Sequence, residues 1–190
     1  NATSEKLDSI SRLMTGLGFM ETLNSTLTSE QILYEMTNRD SSQIISVTSS
    51  KSQEHTILRD SILPGLLENL SKNIHETYPQ KFFESGIVFS TGSPIKETAS
   101  LACVTASEET HFSEMKAVLQ SLLRIGFNTK CETKTLSNHA LFSQGRVAEI
   151  VVSGKTVGYI GELDSKVLEN FRIRTKVVAF EIKLSGLIFD

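Results

Sequence analysis

Cysteine is scarce in this chain. Two occur among 190 residues, Cys103 and Cys131, each in a strand-like stretch with no second cysteine nearby. That excludes a CxxC redox motif and the paired spacing of a structural zinc site. The expectation is two buried, reduced thiols in a cytoplasmic protein. Long apolar runs are also lacking. None reaches the roughly 18 residues that a membrane-spanning helix needs, so no membrane contact is expected. No signal peptide opens the chain, and its first residues, Asn1-Ala2, read as a vector remnant or the cut end of a longer protein. Proline-, glycine- or serine-rich linkers and internal repeats are absent. Residues 3–190 therefore read as a single domain, one fragment of a longer chain.

Basic charge is thin. Nineteen lysines and arginines stand against 22 acidic residues, giving a net charge of −3 and a pI near 5.9. A dedicated nucleic-acid binder would show a basic face or stripe. The densest basic cluster, Arg172, Arg174 and Lys176, alternates with other residues. It reads as a solvated strand edge, with a phosphate contact as the alternative.

Catalytic patterns are missing as well. His55, His75, His111 and His139 do not pair at a metal-ligand spacing such as HExxH, and no GxSxG occurs. Gly154, Gly158 and Gly161 fall within a hairpin. They do not join a strand to a helix, so they form no phosphate-cradling loop. Glu108-Glu109 reads as a solvated turn.

What the sequence does have is hydrophobic periodicity along most of its length. Residues 4–17 read as a helix capped by Ser4, with Leu7, Ile10, Leu13, Met14 and Leu17 on one face. Residues 19–27 alternate like a strand. Thr28, with Gln31 three residues on, opens a short helix. Residues 44–49 form a short strand. The stretch 57–76 contains a helix with Pro64 in its first turn, ended by Tyr78-Pro79. Strands follow at 82–89 and 98–105, then a helix over 112–125. Further strands are expected at 129–135, 146–153, 156–161 and 176–183, with a short helix at 165–170. Ser153-Gly154-Lys155 is a tight hairpin signal. Hairpin-linked strands with interspersed helices make an α+β domain, a largely antiparallel sheet with helices packed on it.

Five segments resemble, in order, the beta subunit of phenylalanine–tRNA ligase in its archaeal and eukaryotic form. Leu58-Arg59 followed by "DSILPGLLENLSKNIH" (60–75) is similar to that family's "LR-x-S-L-L-P-G-L-L-E-x-L" signature. "KFFESGIVF" (81–89), "SQGRVAEIVVSGKTVGYIGELDSKVLENF" (143–171), "VVAFEIKL" (177–184) and "ISRLMTGLGFMETLNSTLTS" (10–29) resemble further family segments. The sequence departs from the pattern at Asp164-Ser165, where the family usually has His-Pro, and at Ala140, where it usually has proline after the histidine.

The resemblance implies a class II aminoacyl-tRNA synthetase-like fold, an antiparallel sheet flanked by helices. It also implies a catalytically silent assembly domain in an enzyme of two alpha and two beta chains. The alpha subunit would hold the active site with its ATP and magnesium, and tRNA would be met through the parent complex. The first helix, through Leu7, Ile10, Leu13, Met14 and Leu17, would help to pack against alpha. A working class II site clamps the ATP α-phosphate with an arginine shortly after a "VF" strand ending. Here Val88-Phe89 is followed by Ser90, Thr91 and Gly92, and the closing "AFEIKLSGLIFD" supplies no arginine either. No catalytic, cofactor or metal residue is therefore expected in this domain. The alternative is a stand-alone ATP-dependent ligase using Arg59 or Arg146 on phosphate. A salt bridge that fixes the helix start is the plainer reading of Arg59.

Overall fold

A computed structural model of the protein describes residues 2–47 and 55–188. Helix α1 (Ala2–Gly16) begins two residues before the expected cap Ser4 and turns out at Gly18, whose φ of 87° suits glycine. Strands β1 (Met20–Glu21) and β2 (Leu27–Thr28) follow, each only two residues long. The single strand expected over 19–27 is thus two short pieces with an irregular span between them. The alternation was real, but only these four residues pair as strands, with Thr22 and Thr26 adding single backbone bonds to Phe83 and Arg59. A π-helical turn, Gln31–Glu35, comes next, with the Ser29 hydroxyl, not Thr28, accepting from the Ile32 N–H. Of the strand expected at 44–49, Ser46 makes an isolated bridge to Ile57, while 48 and 49 lie outside the described residues.

Strand β3 (Ile57–Leu58) pairs with β2. Helix α2 (Leu63–Lys72) has Pro64 in its first turn, as expected, but ends well before Tyr78-Pro79. Asn73 stops it: its amide returns to the Asn69 carbonyl, and Gln80 donates to the Asn73 carbonyl. Next come β4 (Gln80–Ser90), β5 (Lys96–Ala106), α3 (Phe112–Ser121) and a second π-helical turn, Leu122–Gly126. Strands β6 (Glu132–Leu136), β7 (Phe142–Val152) and β8 (Lys155–Leu163) form a meander. The β7–β8 turn sets Ser153 and Gly154 at φ 49° and 77°, the geometry of a two-residue hairpin. Helix α4 (Ser165–Asn170), capped by the Asp164 carboxylate on the Lys166 N–H, leads to β9 (Val177–Lys183) and a last turn, Ser185–Ile188.

Seven strands make one sheet in the order β1-β4-β5-β9-β8-β7-β6. Every pairing is antiparallel except β1 with β4. Strand β9 sits between β5 and β8, and its alternate residues feed both faces. Val178, Phe180 and Ile182 join Ile10 and Met14 of α1 and Met115 and Leu119 of α3 in one core. Val177 and Ala179 join Leu63, Leu66, Leu67 and Leu70 of α2 and Val167 of α4 in the other. The period-2 pattern of the strands and the 3–4 spacing of the helices thus build three layers, helices, sheet and helices. Burying an apolar side chain of this size contributes roughly 1.5–3 kcal/mol. Cys103 is buried, and burial pushes its thiol well up. Cys131, expected to be buried, is half-exposed just ahead of β6, an edge strand.

Candidate functional site

The apolar stripe of α1 divides in two. Ile10 and Met14 are fully buried in the chain's own core. Leu7, Leu13 and Leu17 are half-buried at the margin of that core. The second π-helical turn packs on α1, where Lys6 bonds the Gly126 carbonyl and lies 5.0 Å over the Phe127 ring. Ile125 of that turn is 63% exposed, and Met20 and Leu23 after α1 are 65% and 87% exposed. The sequence reading missed these three, because periodicity marks a core-facing stripe and says nothing of apolar residues left outside it.

On the other side of the sheet, a cleft of about 180 Å³ opens over β8 and β9, with Arg39, Asp60, Ser61, His139, Tyr159 and Glu181 among its walls. Its centre is Glu181. The carboxylate accepts from the Ser61 hydroxyl at 2.7 Å and from the Ile62 and Leu63 N–H groups at 2.9 and 3.1 Å. Helix α2 has no cap of its own, so a residue 119 positions away satisfies the open N–H groups of its first turn. Burial raises the Glu181 carboxyl above its usual value, opposed by these hydrogen bonds and by Arg39. Gly158 of β8 lies against the Glu181 carbonyl so closely that a Cβ there would collide with it.

Arg39 forms a two-pronged ion pair with Asp60, Nη2–Oδ1 at 2.8 Å and Nη1–Oδ2 at 3.2 Å. Its Nη2 also donates to the Leu33 carbonyl at 2.7 Å. The Tyr34 hydroxyl donates to Asp60 at 3.1 Å, and burial together with that carboxylate pushes the Tyr34 pKa up to about 12. His139 packs its ring 5.0 Å from Phe142 and 4.7 Å from Tyr159, and its Nδ1 accepts from the Leu141 N–H. Burial first, and then Arg39, lower its pKa.

Arg59 does not reach this cleft's ion pair. Its Nη1 meets Glu84 Oε1 at 2.5 Å, with the two side chains only 6% and 2% exposed. Its Nε donates to the Ile87 carbonyl, and Asn24 donates to the second oxygen of Glu84. The guanidinium lies over Gly86, where any Cβ would strike it. Arg59 is therefore a salt-bridged residue, as the plainer reading had it, but what it fixes is β4 against the 24–28 segment. Glu181 fixes the helix start. An acidic residue inside an otherwise apolar strand, Glu84 in "FFESGIVF" and Glu181 in "AFEIKL", was the available sequence signal. Arg146 pairs with Glu162 at 2.7 Å near the surface. His55, His75 and His111 are exposed.

The Arg172–Lys176 cluster is not a strand edge. Arg172 and Arg174 lie in the α4–β9 connection, and the strand that follows is a central one. With His75, Tyr78 and Glu108-Glu109 they line a cleft of about 610 Å³ at one end of the sheet.

The arrangement of strands and helices is that of a class II aminoacyl-tRNA synthetase. The solved structure of Desulfitobacterium hafniense PylSc, a pyrrolysyl tRNA synthetase, superposes with a TM-score of 0.81 over 98% of this chain and 67% of that one. Sequence identity there is 15%, so the likeness is one of fold. Residues 1–184 match the family described as the phenylalanyl tRNA synthetase beta chain CLM domain, and the chain belongs to that family. The phenylalanine–tRNA ligase beta subunit of Pyrococcus abyssi is 37% identical over 95% of this chain and 33% of its own length. That of Archaeoglobus fulgidus is 42% identical over 94% of this chain and 32% of its own. The chain thus spans about a third of the length of these curated relatives.

Proposed function

We propose that this chain is a catalytically silent assembly domain, packing against the catalytic alpha subunit of a cytoplasmic phenylalanine–tRNA ligase of two alpha and two beta chains. The observation that carries the reading is the set of apolar side chains left uncovered around the β1 edge and the turn that packs on α1. Met20 and Leu23 stand exposed at the β1 edge on the side of α2, lining grooves with Asn73 and Glu76 and with Pro64 and Glu68, and Ile125 stands exposed on the turn that packs on α1. Exposed apolar side chains at a sheet edge favour contact with another protein. In this reading ATP and magnesium are held by the alpha subunit, this domain binds neither, and tRNA is met through the whole complex.

The charge arrangement agrees with silence. A phosphate clamp needs a guanidinium free to meet an anion. Arg39 and Arg59 are held by Asp60 and Glu84, and Arg146 by Glu162. The rival reading, a stand-alone ATP-dependent ligase that uses Arg59 or Arg146 on phosphate, requires the ion pair at that arginine to open.

Light scattering of the chain mixed with an archaeal-type alpha subunit tests the proposal. A defined complex is expected, weakened by Met20→Glu and Leu23→Glu, which alter exposed residues and leave the fold intact. Failure of the folded chain to bind alpha overturns the docking role. ATP–pyrophosphate exchange by the chain alone overturns silence.

A further inference from the structure

The large cleft at the end of the sheet shares no residue with the α1 face. Three connections build it. The α4–β9 connection supplies Arg172, Arg174 and Thr175, the α2–β4 connection supplies His75 and Tyr78, and the β5–α3 connection supplies Glu108-Glu109. The Ser107 N–H donates to the Lys176 carbonyl at 3.0 Å and ties two of the three together.

Three observations point to a ligand, and a fourth shows how the fold presents Arg172. First, Ile173 and Thr175 turn inward while Arg172 and Arg174 stay exposed, and among the described residues neither arginine forms an ion pair. They remain unpaired although two carboxylates line the same cleft. Second, Thr175 is only 7% exposed, and its hydroxyl has no hydrogen-bond partner among the described residues. An unsatisfied buried hydroxyl is uncommon and calls for a partner. Third, the Tyr78 ring is 42% exposed beside Pro79. Fourth, Arg172 adopts φ 58°, a left-handed conformation that glycine would hold more easily. Arg172 is the left-handed residue that ends α4, where the Ile173 N–H returns to the Leu168 carbonyl, and this helix end sets its guanidinium at the cleft.

We propose that this cleft binds single-stranded RNA. A backbone phosphate sits between the Arg172 and Arg174 guanidiniums, which suit phosphate as paired, forked donors. The adjoining base stacks on Tyr78, the means by which unpaired bases are held on aromatic rings. One of the Glu108-Glu109 carboxylates accepts from the ribose 2′-hydroxyl, a donor that DNA lacks. A volume near 610 Å³ suits one or two nucleotides and no duplex. With a net charge of −3 the chain offers no general attraction for nucleic acid, so contact is local to these residues.

Fluorescence anisotropy with a labelled, mixed-sequence single-stranded RNA of roughly ten nucleotides tests this. Saturable binding at low salt is expected, falling as salt rises. Arg172→Gly, Arg174→Ala and Tyr78→Ala should each weaken it about tenfold, with Arg146→Ala unchanged. Arg172→Gly separates binding from folding, because glycine relieves the backbone while removing the guanidinium. Its melting temperature should match or exceed that of the parent. Absence of saturation, full affinity in Arg172→Gly, equal affinity for DNA of the same sequence, or easier displacement by an acidic peptide than by unlabelled RNA would each overturn the proposal.

Discussion

Arg39 and Arg59 bind carboxylates on the inner side of the sheet, whereas Arg172 and Arg174, at its end, face solvent with no ion-pair partner among the described residues. All four side chains are chemically identical and permanently charged. What separates them is depth. A guanidinium taken out of water needs a carboxylate, because an isolated buried charge is too costly to keep. Once paired, its charge is already met and it has little to offer a phosphate. The exposed pair carries no such requirement and keeps its donors free. Whether an arginine is structural scaffolding or a ligand contact is therefore settled by its tertiary neighbours.

The contrast can be broken most forcefully at the buried pair. Arg59→Ala leaves Glu84 charged and uncompensated at 2% side-chain exposure. A loss of about 3–5 kcal/mol is expected in urea unfolding. A loss below about 1 kcal/mol would mean that water reaches the pair as readily as it reaches an exposed one. Asp60→Asn at the shallower pair should cost about 1–2 kcal/mol, since Arg39 and Tyr34 both lose a charged acceptor. Ultraviolet titration of the tyrosines should at the same time show Tyr34 moving down from about 12. A Tyr34 titration unmoved by the substitution would assign its shift to burial alone.

The smallest effect concerns pH. His139 has its pKa lowered from 6.5 in the folded protein, so the unfolded chain binds the proton more tightly. Its contribution is fully present above pH 6.5 and is lost as pH falls through the lowered folded value. Thermal melts between pH 8 and 5 should therefore fall more steeply for the parent chain than for His139→Gln. Parallel curves would show that His139 is as easily protonated folded as unfolded.

Local signals were legible in the sequence. The Leu-Pro-Gly helix, the hairpin at Ser153-Gly154 and the strands around "FFESGIVF" and "VVAFEIKL" all rest on neighbours a few residues apart. They appeared close to where period and turn chemistry put them. Failures came where the partner is distant. Residues 19–27 alternate like a strand, yet pairing stops after Glu21 because the chain leaves β4 to meet β3. The start of α2 was read as fixed by a salt bridge from nearby Arg59, while its cap arrives from Glu181 in β9. At the candidate docking face, the α1 stripe showed which residues turn inward. It could not show that Met20, Leu23 and Ile125 stay outside, since exposure is set by what the rest of the chain fails to cover.

The position of β9 has a consequence for how the protein is made. On one side of it stand β1, β4 and β5, and on the other β8, β7 and β6. The two groups are joined in the sheet only through this strand, whose sequence follows all the others. A nascent chain leaving the ribosome thus carries two half-sheets with facing raw edges until residues 177–183 emerge and zip them together. Such edges recruit neighbouring chains. Translation that stalls before Val177 leaves an adhesive product, whereas the seven residues of the strand join the halves and cover both inner edges.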